Sequence, residues 1–180
     1  MLQLTIILTP ERWDEENELF IPAKVKKLRL EHSLVSLSKW ESKWCKPFIS
    51  DTDKTAEETL DYIKFMTLTQ NVEPDVYDHI TDEHIRQVTE YIDLPMSAAT
   101  FVEDEKNNKK KVNGEKITAE TLYWYMITLQ IPFECQKWHL NRLITLIRFC
   151  CAKNEKPKQM TMAERRALNE ARKKKHRTKG

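Results

Sequence analysis

The stretch PFECQKWHLNRLITLIRFCC, residues 132–151, is the most apolar segment of helical length in the chain. Trp138, Leu143, Ile144, Ile147 and Cys151 lay down one stripe along it, and Leu140, Leu146, Phe149 and Cys150 widen that stripe. Gln136, Lys137, Asn141, Arg142 and Arg148 leave only a narrow polar strip. The pattern predicts the central helix of a mainly helical domain, wrapped by the segments that precede it.

Working outward, the preceding segments supply partners for that helix. Residues 118–129 carry Leu122, Tyr125, Met126 and Leu129 on one side, and Pro132 separates the two helices as antiparallel neighbours. In residues 31–44, EHSLVSLSKWESKW, Leu34, Leu37, Trp40 and Trp44 share a face and Ser33 is placed to cap the start. Two tryptophans on one helix bury a large area, so this helix is expected to pack against 132–151. Thr55 and Glu58 form a capping box that opens a helix to about residue 69, with Leu60, Ile63 and Met66 inward. Pro74 starts a short helix through Ile80. Thr81, followed by Asp82 and Glu83, begins another with Ile85, Val88 and Ile92.

The N-terminus obeys a different period. Leu2, Leu4, Ile6 and Leu8 alternate along residues 1–8, which predicts an edge strand with one buried face. Residues 11–18 read as a loop, and 19–21 and 25–30 as two further strands. The fold class is therefore α+β: mainly α, a helical bundle with a small N-terminal antiparallel β-sheet over residues 1–31, plus a basic C-terminal helix. Residues 103–116, EDEKNNKKKVNGEK, have no apolar period and read as a loop or hairpin tip, with 100–102 and 116–117 as candidate paired strands.

Length and charge divide the chain into residues 1–152, one globular domain, and 153–180, a basic linker and helix. The tail holds eleven Lys and Arg against three acids, a net of +8, so the remainder carries −6 within a total of +2. An acidic body with a basic tail implies different partners for the two ends, or their meeting in a homo-oligomer. In the tail, Thr161 and Glu164 form a capping box, but Ala163, Ala167, Leu168 and Ala171 make a thin apolar face. Arg165, Arg166, Leu168, Arg172, Lys173, Lys174 and Lys175 are the candidate partner-binding residues. With no aromatic among them to stack on bases, nucleic acid is the less favoured partner. No membrane attachment, spanning segment or signal peptide is expected.

Catalytic signatures are weak. Two glycines, Gly114 and Gly180, leave no phosphate-cradling loop and no nucleophile elbow. Cys135 and His139 stand four apart, yet no second ligand pair accompanies them, so no metal site and no cofactor are expected, and His139 reads as a satisfied or surface histidine. His79 and His84, beside Asp78, Asp82 and Glu83, read as solvated surface. Glu15 with Glu16 and Glu57 with Glu58 are explained by solubility and the helix dipole. Cys45, Cys135, Cys150 and Cys151 lack a CxxC pair and read as buried thiols of a reducing cytosol. The chain is expected not to be an enzyme.

Four blocks carry a family likeness: EHSLVSLSKWESKW at 31–44, YIKFMTLTQNVEPDVY at 62–77, IPFECQKWHLNRLITLIR at 131–148 and ALNEARKKKHRTKG at 167–180. Together they resemble the siphophage tail assembly chaperones, encoded between the tail-tube and tape-measure genes. The resemblance implies a non-enzymatic protein of the infected bacterium's cytoplasm that binds the tape-measure protein, or other phage tail proteins, during tail morphogenesis. It carries no site residues over. Structural virion components, such as a connector, tail-completion or baseplate subunit, are the alternative, and a small nucleic-acid-binding protein the third.

Overall fold

The computed structural model describes residues 1–16, 18–50, 53–99 and 116–154, together with Arg166, Asn169, Glu170 and Arg172. The chain divides into two units, Met1–Phe149 and Cys150–Gly180.

The first unit opens on four strands, β1 (Leu2–Thr9), β2 (Arg12–Asp14), β3 (Leu19–Ile21) and β4 (Lys24–Leu30). β1 and β4 pair antiparallel, Leu2 against Leu30, with a register shift between Ile7 and Thr9. The period-two pattern does its expected work: Leu4, Ile6, Leu28 and Leu30 are buried, while Gln3, Thr5, Ile7 and Val25 face out. Beyond Pro10 and Pro22, which have no N–H to give the ladder, β2 and β3 pair with Trp13 opposite Phe20. The loop expected at residues 11–18 thus contains a strand, because an aromatic cross-strand pair outweighs its polar surroundings. Glu31 N–H donates to the Met66 carbonyl and Leu68 N–H to that of Arg29, so the C-terminal end of β4 is covered.

Between residues 34 and 154, five helices follow among the described residues: α1 (Leu34–Trp44), α2 (Ala56–Met66), α3 (Asp82–Asp93), α4 (Ala119–Thr128) and α5 (Leu140–Asn154). The mainly α fold with a small antiparallel sheet is the one expected. Local start signals hold: Ser33 Oγ accepts from Ser36 N, and Thr55 Oγ1 from Glu58 N while Glu58 Oε2 accepts from Thr55 N. α1 stops at Cys45, which takes a left-handed φ of 53° and sends its N–H to the Glu41 carbonyl. Pro74–His79 forms a short 3-10 turn whose Val76 is buried.

Several expectations are corrected. Residues 132–151 are not one helix: Phe133–Lys137 is a 3-10 turn, Trp138 is extended, and His139 bridges to Ser33 before α5 begins. The break is held from a distance, since Leu140 N–H donates to the His32 carbonyl at 2.7 Å. Nor is α5 central. Only Leu140, Leu143 and Ile147 are buried on it, and Phe149 is exposed. Accordingly α1 packs chiefly on α2 and α4 and on the 3-10 turn, with Trp40 fully buried and Trp44 only half-buried. Of the four cysteines, Cys135 alone is buried, and Cys45 is exposed. Residues 116 and 117 are irregular, not a strand; their expected partners and the rest of 100–115 lie outside the described residues.

Candidate functional site

Where the ribbon runs into α1, the structure gathers polar groups that apolar periodicity does not mark. His32, 2% exposed, lies with its ring centroid 5.1 Å from that of the buried His139. The His32 Nδ1 is 2.5 Å from the Tyr62 hydroxyl, and His139 Nε2 is 3.0 Å from the Tyr91 carbonyl. Tyr91 donates its hydroxyl to Glu31 Oε1 at 2.7 Å, and Glu31 Oε2 pairs with the Met1 ammonium at 3.1 Å. Asn141 donates to the carbonyls of Ile92 and Leu94, tying the start of α5 to the end of α3. Beside this cluster lies a cavity of about 570 Å³ whose walls include His32, Phe48, Lys54, Asp93, Asn141 and Ile144.

Burial, reinforced by the neighbouring His139, pushes the His32 imidazole down to about 3. Burial also lowers His139, against the opposing pull of the Tyr91 carbonyl and Glu31. Burial raises the Tyr62 and Tyr91 hydroxyls. Both histidines are therefore neutral at physiological pH. A base as weak as His32 is poorly matched to proton abstraction near neutrality. What the cluster does in the geometry is join β4, α1, α2, α3 and α5 through directed hydrogen bonds.

Three carboxylates work in the same way. Glu41 accepts from Phe48 N at 2.8 Å and from Ala119 N at 2.7 Å, so a side chain on α1 caps the first turn of α4. Thr118, expected to start that helix, makes no side-chain cap. Burial raises the Glu41 carboxyl, and the two backbone donors oppose the rise. Glu58, also the Thr55 capping partner, pairs with Lys46 at 2.6 Å, which holds its carboxyl low. Asp61 pairs with Lys43 and Lys64; burial opposes the shift, yet those two ammonium groups hold it below the usual range.

The surface differs from this satisfied interior. On α4, Trp124 is 58% and Ile127 63% exposed, although Leu122 and Met126 of the same helix are buried. Phe133 is exposed too, its ring centroid 6.5 Å from that of Tyr123 on the same helix as Trp124. Glu120, Thr121, Trp124 and Tyr125 line a depression of about 410 Å³. Isolated exposed apolar residues are ordinary, but α4 carries apolar side chains on both its inner and its outer face.

The expected site residues fare unevenly. Arg166 and Arg172 are helical and exposed; Arg165, Leu168, Lys173, Lys174 and Lys175 lie outside the described residues. His139 is a satisfied, buried histidine, and the break before α5 removes the helical spacing that would aim it and Cys135 together. His79 is exposed, and His84 accepts from Thr81 N within the α3 cap. Among the described residues, no three His, Cys, Asp or Glu side chains are grouped to hold a metal ion. No described helix is long and apolar enough to cross a membrane. Sequence reasoning missed His32, Tyr62, Tyr91 and Glu41, whose partners are distant in the chain. It also missed the outer face of α4, for which the unbroken run LYWYMI at 122–127 is a legible signal. No family model matches the chain, and neither a curated protein nor a solved structure matches it.

Proposed function

We propose that the chain is a non-enzymatic, protein-binding factor of phage tail assembly, a chaperone that holds the tape-measure protein soluble in the host cytoplasm while the tail is built. The observation that carries this reading is the outer face of α4, with Trp124 and Ile127 more than half exposed, as is Phe133 of the following 3-10 turn. Among the described residues, the one buried side-chain N or O atom without a partner is Trp44 Nε1. The interior has few polar groups left to offer chemistry, and the surface has apolar area left to offer a client. The resemblance of residues 31–44, 62–77, 131–148 and 167–180 to the tail assembly chaperones supplies the identity of that client. Repeated, reversible contacts along a long client suit a modest apolar patch of this kind.

Co-expression with a siphophage tape-measure protein tests the reading. The client is expected to stay soluble and to co-purify only when this chain is present; a client soluble alone, with no complex formed, would sink the idea. A structural virion component is the second reading, favoured by the exposed ribbon of β2 and β3. Mass spectrometry of purified particles separates the two, since a chaperone is absent from the particle and a subunit is present in fixed copy number.

A further inference from the structure

The ribbon formed by β1 to β4 ends in two strands of three residues each, with exposed apolar residues on both faces. Trp13 and Phe20, cross-strand partners, are 57% and 59% exposed, and Ile7 with Val25 forms a second exposed pair nearer the body. Leu19, next to Phe20 and so on the opposite face of β3, is exposed too. A two-stranded ribbon is marginal in water without a packed face.

Its charges are sorted by position. Residues 11–18 at the tip hold five carboxylates and Arg12, a net of −4. β4 at the base holds Lys24, Lys26, Lys27 and Arg29, a net of +4, and β1 holds no charged side chain. None of those four β4 cations enters an ion pair among the described residues.

From this sorting we infer that two copies of the chain pair through the ribbon, antiparallel, with the acidic tip of each lying along the basic base of the other. One element carries both halves of a complementary pattern, which is what a two-fold, isologous contact requires. A parallel arrangement would set tip on tip and base on base, and is disfavoured by like charge at both ends. In the antiparallel arrangement Trp13 and Phe20 of one copy come beside Ile7 and Val25 of the other, and exposed apolar pairs cover each other. This pairing does not depend on the identity of the client or on a role in tail assembly.

Sedimentation equilibrium of the full chain at low salt tests the inference, using two charge-reversed variants at exposed positions. One carries Lys24→Glu with Lys27→Glu, the other Glu15→Lys with Glu16→Lys. The unaltered chain is expected to dimerise, and each variant alone to dimerise at least about tenfold more weakly. An equimolar mixture of the two variants is expected to associate more tightly than either variant alone, as a heterodimer, because the unaltered acidic tip of one then faces the unaltered basic base of the other and the reversed positions face each other at the second end. A folding defect would not be repaired by mixing. A chain that stays monomeric as concentration rises would overturn the inference and leave the ribbon to a different protein. Dimers indifferent to both reversals, or variants that mixing does not rescue, would overturn it equally.

Discussion

Single residues set how this protein answers to acid. His32 and His139 are neutral when folded, but each takes a proton readily once exposed, at the usual value of 6.5. Below that value the unfolded chain binds more protons than the folded one, so their contribution to stability is complete above 6.5 and drains away as pH falls, for His32 down to about 3. One such histidine costs about 1.4 kcal/mol per pH unit in that window, or about 2 kcal/mol between pH 7.5 and 5. Glu41 pulls the other way, since its raised carboxyl is protonated more readily in the folded state. Glu58 and Asp61, both held low, withdraw their support only nearer the ordinary carboxylate range, so the early loss belongs to the imidazoles. Urea midpoints are therefore expected to hold level down to about pH 6.5 and to fall from there to pH 5. A flat profile would mean that the two rings are not neutral and buried together. Glu41 also makes a prediction without titration. Glu41→Ala leaves Phe48 N and Ala119 N buried without an acceptor, at about 1–3 kcal/mol each, so urea unfolding is expected to show a loss of about 2–6 kcal/mol. Glu41→Gln, which keeps one acceptor oxygen, should lose roughly half of that.

Among the elements, α4 and α5 show what sequence does and does not announce. α4 presents Leu122 and Met126 inward and Trp124 and Ile127 outward, so its outer face can be altered without disturbing the core. The double substitution Trp124→Ser with Ile127→Ser is expected to change stability by no more than about 0.5 kcal/mol per site while abolishing client capture. Thermal melting beside a pull-down with the tape-measure protein reads both; retained capture would remove α4 from the binding surface. Helix starts were legible because their signals are local: Ser33 with Ser36, and Thr55 with Glu58, are three residues apart. The strand Leu2–Thr9 was legible because alternation is local too, and Leu19–Ile21 because a short apolar run is. The break before α5 was not, since it is made by His139 bridging to Ser33 and by Leu140 bonding to His32, more than a hundred residues back. The cap of α4 was missed for the same reason: Glu41 lies 78 residues from Ala119. The apolar stripe of 132–151 was real, but amphipathicity says only that a face is covered. It does not say whether a protein's own interior or a partner covers it.

Taken whole, the molecule pairs a body that satisfies its own polar groups with a tail of opposite charge. Residues 155–180 hold ten Lys and Arg against three acids, a net of +7, which leaves −5 on residues 1–154. The first unit, Met1–Phe149, contains every strand and every buried residue of the described core. Ending the chain after Asn154 keeps α5 complete and removes no described core contact, so urea and thermal unfolding are expected to match the full chain. Binding is where the two should part. If the tail contributes through charge, its loss weakens client binding most at low salt, and the gap between full and shortened chains closes as ionic strength rises past the range where the Debye length is about 10 Å. If it contributes through Leu168 and the alanines near it, the gap persists in salt. A binding titration at two salt concentrations distinguishes these outcomes, and equal affinities at both would confine the client to the body. The same truncation measures the third functional class on its own terms. Phosphate contacts scale with the number of cations released, so a nucleic-acid role predicts a steep salt slope that disappears with residues 155–180.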